Sequence, residues 1–143
     1  MNIQIVEQQE ELKVIINCIK VDEEVKHLKN HIEQFDNRLI AKKNGEVCLI
    51  NVSEVLYFES VDNRTFLYTY EEVLEIKQRL YELEKILSDK DFIRISKSQI
   101  ANINQMKALR PELNRTILAT MCNGEQLTIS RKYVHIVRKL LGI

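Results

Sequence analysis

The sequence predicts an α+β fold that is mostly β: stacked antiparallel sheets built from short hairpins, with small helices. A short strand–helix segment precedes this body. Three observations predict it. Asn44-Gly45 and Asn123-Gly124 each sit between apolar runs, the strongest short-range hairpin signal. Short β-branched and aromatic runs recur through the chain (VLYF, TFLYTY, FIRI, LTIS). Helical stripes are few and short, and nothing alternates strand and helix as parallel βαβ units do.

The elements follow in order. LKVIINCI (12–19) is an apolar, β-branched run that reads as a strand. Asp22 is placed to cap a helix, with Glu23 and Glu24 in a first turn that favours acids. Val25, Leu28, Ile32 and Phe35 then form one apolar stripe. RLIAKK and EVCLIN flank Asn44-Gly45 as a hairpin. VLYF (55–58) and TFLYTY (65–70) read as strands joined by a polar loop, Glu59 to Arg64. Glu71-Glu72 turns the chain into VLEIK, and Ile76, Leu80, Leu83 and Leu87 mark a helix ending near Ser88-Asp89. FIRI (92–95) is a strand, Ser96-Lys97-Ser98 a polar break, and QIANINQM a short helix or turn. Strands over 106–110 and 115–121 flank the turn Pro111 to Asn114. The second hairpin leads into LTIS, and a final helix starts at Ser130, carries Val134, Val137, Leu140 and Leu141, and stops at Gly142.

Composition narrows the function. At 143 residues, 45% hydrophobic and 29% charged, the chain suits one domain with an appendage. We expect an acidic extension over residues 1–36 and a body over 37–143. The three glycines are far apart, so Gly-rich phosphate loops are excluded. Cys18, Cys48 and Cys122 lack CxxC spacing, against a disulfide framework or a cysteine zinc site. No apolar run approaches the roughly 18 residues of a membrane span, and no signal peptide is visible, so a cytoplasmic protein is expected. The net charge is zero, but it is unevenly placed. Residues 1–36 hold four lysines against eight acids, net −4, and residues 91–143 hold nine bases against three acids, net +6. A basic C-terminal third is an electrostatic footprint for nucleic acid.

No constellation supports enzyme chemistry, and no cofactor or small-molecule substrate is expected. His27 and His31 share a helix face at i, i+4, but no third ligand is evident and Lys26, Lys29 and Asn30 mark that face as solvated. His135 falls at the edge of its helix stripe, and Glu82 and Glu84 read as solvating side chains. Three polar-basic clusters fall at strand ends: Asp62-Asn63-Arg64-Thr65, Ser96-Lys97-Ser98 and Ser130-Arg131-Lys132-Tyr133. Arg131 and Lys132 occupy the first turn of a helix, where their charge opposes the dipole by about 0.3–1 kcal/mol each. An anion bound there reverses the sign. Nucleic acid is the partner this points to. A protein-interaction module, in which acidic opening and basic end bind partners and DNA is secondary, is the competing class.

At this point the residues resemble a known family. FESVDNRTFLYTYEEVLEIKQRLYELEKIL, DFIRISKSQIANINQMKAL and NGEQLTISRKYVHIVRKLLG, in order, are similar to the LytTR family of bacterial DNA-binding domains over about residues 38–143. The resemblance implies a transcription regulator that binds double-stranded DNA at direct-repeat sites and bends it, with loops rather than a recognition helix entering the major groove. It implies base contacts from Thr65, Lys97 and Arg131, and phosphate contacts from Asn63, Arg64, Ser96, Ser98, Ser130 and Lys132. Thr65 is small where a larger polar reader can occur. Lys97 stands where Asn can occur, which shifts the preference from adenine toward guanine. About 36 residues stand where many members carry a phosphorylated receiver, so the chain resembles stand-alone regulators, some of which are held in check by a membrane protein. A homodimer, at least on DNA, is expected from repeat binding, and residues 12–35 are expected to extend the β body or form a dimer or partner surface.

Overall fold

The structure is a computed structural model. It describes residues 1–7 and 10–143, with the side chains of 34–36 outside the description, so the inward placement expected for Phe35 falls beyond the described residues. The chain divides into two compact units, Met1–Asp36 and Asn37–Ile143.

In the first unit, α1 spans Glu23–Asp36. Asp22 caps it as expected: its Oδ1 accepts from the Val25 N–H at 3.0 Å, which satisfies one of the orphan donors of the first turn. Lys26–Glu23 and Lys29–Glu33 pair along its exposed side. The strand expected over 12–19 does not form. Among the described residues this run has no ladder partner, and Leu12 and Ile19 are fully in solvent. An apolar run becomes a strand only when its N–H and C=O groups find a neighbouring edge. His27 and His31 are exposed, and the His31 ring nitrogen faces the His27 carbonyl at 3.3 Å rather than the other imidazole.

The second unit holds ten strands. β1 (Arg38–Lys43) and β2 (Glu46–Asn51) form the Asn44-Gly45 hairpin, with positive φ at both turn residues, as a two-residue type I′ turn requires. β3 (Tyr57–Val61) and β4 (Arg64–Tyr68) form a second hairpin. The loop expected over 59–64 is therefore only Asp62-Asn63, at φ 51° and 63°. β5 (Val73–Ile76) follows, then α2 (Leu80–Ile86). Ile76 ends the strand and is not part of the helix. Its spacing of four from Leu80 imitates a helical stripe, because both residues reach the same core. β6 (Phe92–Ser96) and β7 (Gln99–Asn102) pair, so the first half of QIANINQM is a strand, and only Ile103–Gln105 is helical, as one 3₁₀ turn. β8 (Met106–Pro111), β9 (Ile117–Met121) and β10 (Gln126–Ile129) make a three-stranded sheet, and α3 (Arg131–Leu141) closes on Gly142 at φ 69°.

The seven-stranded sheet has the order β2-β1-β5-β4-β3-β7-β6, antiparallel throughout. One face packs with α2: Phe58, Leu67, Leu74, Ile76 and Ile100 join Leu80, Leu83 and Leu87. The other face, at β3, β6 and β7, packs on the three-stranded sheet and α3 through Tyr57, Ile93, Ile95 and Ala101 against Ile117, Met121, Ile129 and Val137. Neighbours in sequence such as Tyr57 and Phe58 thus enter different cores. That is why these strands are apolar at consecutive positions instead of alternating.

Candidate nucleic-acid interface

The three polar-basic clusters are assembled at one end of the second unit by the ladders themselves. The Ser60 N–H, on the β3 side of the first loop, donates to the Ser98 carbonyl of the second at 2.8 Å. The Ser130 N–H donates to the Ile95 carbonyl at 2.8 Å, which joins the start of α3 to the strand that carries the second loop.

In the first cluster, the type I′ turn puts Asn63 at the tip and Arg64 at the start of β4. Arg64 is bound bidentately to Glu75 on β5, at 3.0 and 2.6 Å, and its guanidinium lies 5.3 Å over the Phe66 ring. Its hydrogen bonds hold the Glu75 carboxyl below the usual glutamate range, and the same bonds hold Arg64 further from deprotonation. Thr65 is only 6% exposed, opposite Ser60 on β3 and Ile76 on β5. It belongs to the floor of a shallow cleft, not to its rim.

In the second cluster, a register shift between Arg94 and Ser96 marks a bulge near the end of β6, and Ser96 still pairs with Gln99 of β7. Arg94 then fastens the loop: Nε donates to the Ser96 carbonyl at 2.8 Å, one Nη donates to the Lys97 carbonyl, and the other donates to Glu84 on α2 at 2.8 Å. The Ser96 hydroxyl accepts from the Ser98 N–H at 3.2 Å. Lys97 is exposed, and among the described residues it is in no ion pair.

In the third, Ser130 occupies the N-cap with extended backbone, but its hydroxyl makes no capping bond. Arg131 and Lys132 are exposed in the first turn, and the Lys132 ammonium lies 5.5 Å from the Tyr133 ring. No acid stands in that turn, whereas Arg138 and Lys139 sit in the last, where cations are favourable.

The first two clusters meet in the cleft, whose lining includes Asn63, Thr65, Arg79, Tyr81, Arg94 and Lys97; Arg131 is not among its lining residues. Sequence reasoning missed Arg79 and Arg94. The available signals were a base inside the apolar run FIRI, and a base immediately before the α2 stripe. Among the described residues no group of three or more His, Cys, Asp or Glu side chains could hold a metal, and no helix is long and apolar enough to cross a membrane.

The arrangement presents cations and amides on loops braced by sheet. The LytTr DNA-binding domain family matches residues 45–142. A solved LytTr DNA-binding domain from Bacillus cereus superposes with a TM-score of 0.71 at 34% identity, over 75% of this chain and 98% of that one. An uncharacterised HTH-type transcriptional regulator of Staphylococcus aureus (strain MSSA476) is 30% identical over all of this chain and 98% of its own length. The sensory transduction protein LytT of Bacillus subtilis is 24% identical over 87% of this chain and 52% of its own. The chain belongs to the LytTR family of DNA-binding domains and is a DNA-binding transcription regulator.

Proposed function

We propose that this regulator reads the major groove of double-stranded DNA with its loops, using Arg131 and Lys97 as the principal base contacts and Thr65 as a floor contact in the cleft. Asn63, Arg64, Ser96, Ser98, Ser130 and Lys132 hold phosphates beside them. The observation that carries this reading is the pair of backbone hydrogen bonds, Ser60 to Ser98 and Ser130 to Ile95. They brace three separately encoded basic clusters against one another: Arg64 and Lys97 stand in β hairpins, and Arg131 stands on the first turn of α3, whose N-cap is tied to β6. Among the described residues no two α-helices are consecutive, so no helix-turn-helix forms there, and Arg131 reads from the first turn of α3. Lys97 and Arg131 both suit guanine O6 and N7.

In this reading two protomers occupy direct repeats in the same orientation, the protein has no enzymatic activity, and it works in the cytoplasm. Residues 1–36 serve a partner, either a second protomer or a membrane-protein inhibitor.

Selection of bound sites from random duplexes, followed by anisotropy titrations, tests the reading. Arg131→Ala is expected to weaken the selected site by about 1–3 kcal/mol and to relax preference at one base position. Lys97→Ala is expected to relax a different position. A variant that binds the selected site like wild type removes that residue from the base-reading set.

A further inference from the structure

The seven-stranded sheet has two ends, and they are finished differently. At the β6 end, the Ile95 carbonyl receives the Ser130 N–H, and the strand is covered by α3 and β10. At the β2 end the outer edge of Glu46–Asn51 has no ladder partner among the described residues. Proteins normally guard such an edge with lysine, proline or a bulge. β2 carries no Lys and no Pro, and its register against β1 is regular.

Its faces are equally unguarded. Following the ladder from the second core, Tyr57 faces Tyr68, Phe66 faces Glu75, Glu75 faces Lys42, and Ile40 faces Leu49. The face buried under the three-stranded sheet at β3 therefore continues outward to Ile40, Val47 and Leu49, which are 59%, 64% and 62% exposed. On the opposite face, Cys48 and Ile50 border the first core. An edge apolar on both faces fits a strand apolar on both faces.

Among the described residues, the β-branched run 12–19 has no ladder partner. In LKVIINCI, alternate positions place Leu12, Val14, Ile16 and Cys18 on one side, and Ile15 and Ile19 with Lys13 and Asn17 on the other. Leu12, Val14, Ile15 and Ile19 are all exposed. Its eight residues span the six of β2.

We infer that residues 12–19 of one copy add as a strand to the β2 edge of a second copy, reciprocally, so that the protein is a strand-exchanged homodimer in the absence of DNA. Charge favours this chain's acidic opening segment as occupant, here supplied by a second copy. Residues 1–36 carry net −4 and residues 37–143 carry seventeen bases against thirteen acids, net +4, so an opening segment approaches another copy's body with attraction. Each copy has one such run and one such edge, so two copies satisfy both and the assembly closes.

The test uses the full chain without DNA, which separates it from the operator reading. Sedimentation velocity across a concentration series reads self-association. Wild type is expected to dimerise. Ile15→Lys and Leu49→Glu, both at exposed positions, are each expected to keep the native circular-dichroism spectrum and to weaken dimerisation by roughly tenfold or more. Mixing the two variants is expected to restore a heterodimer, because the intact run of one meets the intact edge of the other and the new Lys meets the new Glu. Three results overturn the inference: a wild-type monomer throughout, a dimer indifferent to both substitutions, or variants that stay monomeric when mixed. A monomer would leave the edge to the chain's own opening segment or to a different protein.

Discussion

Arg64 illustrates why charge near DNA has to be read with its partners. It is a proposed phosphate contact, yet two of its five N–H donors are held by Glu75, so a phosphate meets it on the remaining donors and beside a competing carboxylate. Glu75→Gln removes the competing charge and is expected to raise DNA affinity across all sequences at low salt, with a steeper salt dependence. The same pair sets an acid-side signature. Because the folded carboxyl sits below its ordinary range through its bonds to Arg64, its contribution to stability is present above the pH at which an unfolded glutamate titrates. It is lost as pH falls through the folded value. Acid titrations of Glu75→Gln should lack that part of the fall. Asn63 separates turn from contact in another way. Its φ of 63° is one that glycine adopts without cost. Asn63→Gly should therefore keep or slightly raise thermal stability while weakening DNA binding, and a stability loss would show that the amide is needed for the turn.

At the scale of elements, the second loop depends on a side chain that need not touch DNA. Arg94 ties the Ser96 and Lys97 carbonyls to Glu84 on α2, across a β-bulge. It is a positioning residue, acting through the path of the loop. Arg94→Met keeps the stem that packs in the strand but removes three hydrogen bonds. The expected cost is about 1–3 kcal/mol in stability. The discriminating readout is specificity: discrimination at the base assigned to Lys97 should fall even at temperatures where the variant is fully folded, while the position assigned to Arg131 is unchanged. A purely structural role would weaken all positions alike.

Across the whole body, a polar contact at the edge of the second core joins the two sheets, and further polar contacts on the large sheet adjoin it. The Tyr57 hydroxyl, on the large sheet, donates to Glu125 on the β9–β10 turn at 2.6 Å. Tyr57 stacks on Tyr68 at 4.2 Å, and Tyr68 and Gln99 both donate to Glu59. Burial, and then Glu125, push the Tyr57 hydroxyl well above the ordinary tyrosine range, and burial and Glu59 raise Tyr68. Both therefore remain donors at neutral pH. A raised folded value means that stability is fully present below pH about 10, where tyrosine in the unfolded chain ionises, and is lost above it. Chemical denaturation from pH 8 upward should show wild-type stability falling at the alkaline end. Tyr57→Phe should start less stable by about 1–3 kcal/mol, since Glu125 loses a donor, and should fall less steeply. Equal slopes would place the alkaline loss elsewhere.

Features decided by near neighbours were legible in the amino-acid order: the Asn-Gly hairpins, the Asp22 cap, the Gly142 stop, and the three basic clusters. Each rests on backbone conformations or charges within a few residues. What failed were judgements that depend on distant partners. QIAN became a strand because β3 and β6 flank it, and Ile76 became the end of a strand because β1 and β4 pair with it. LKVIINCI has strong strand character and forms no strand among the described residues. The assembly of the clusters was likewise invisible. Ser60 meets Ser98, and Ile95 meets Ser130, only after long loops have closed, and no local pattern encodes which loops will meet. Local propensity thus determined the identity of the pieces and the chemistry they carry. Tertiary pairing alone decided which of them share one surface, because a ladder's energy belongs to the pair and not to either strand.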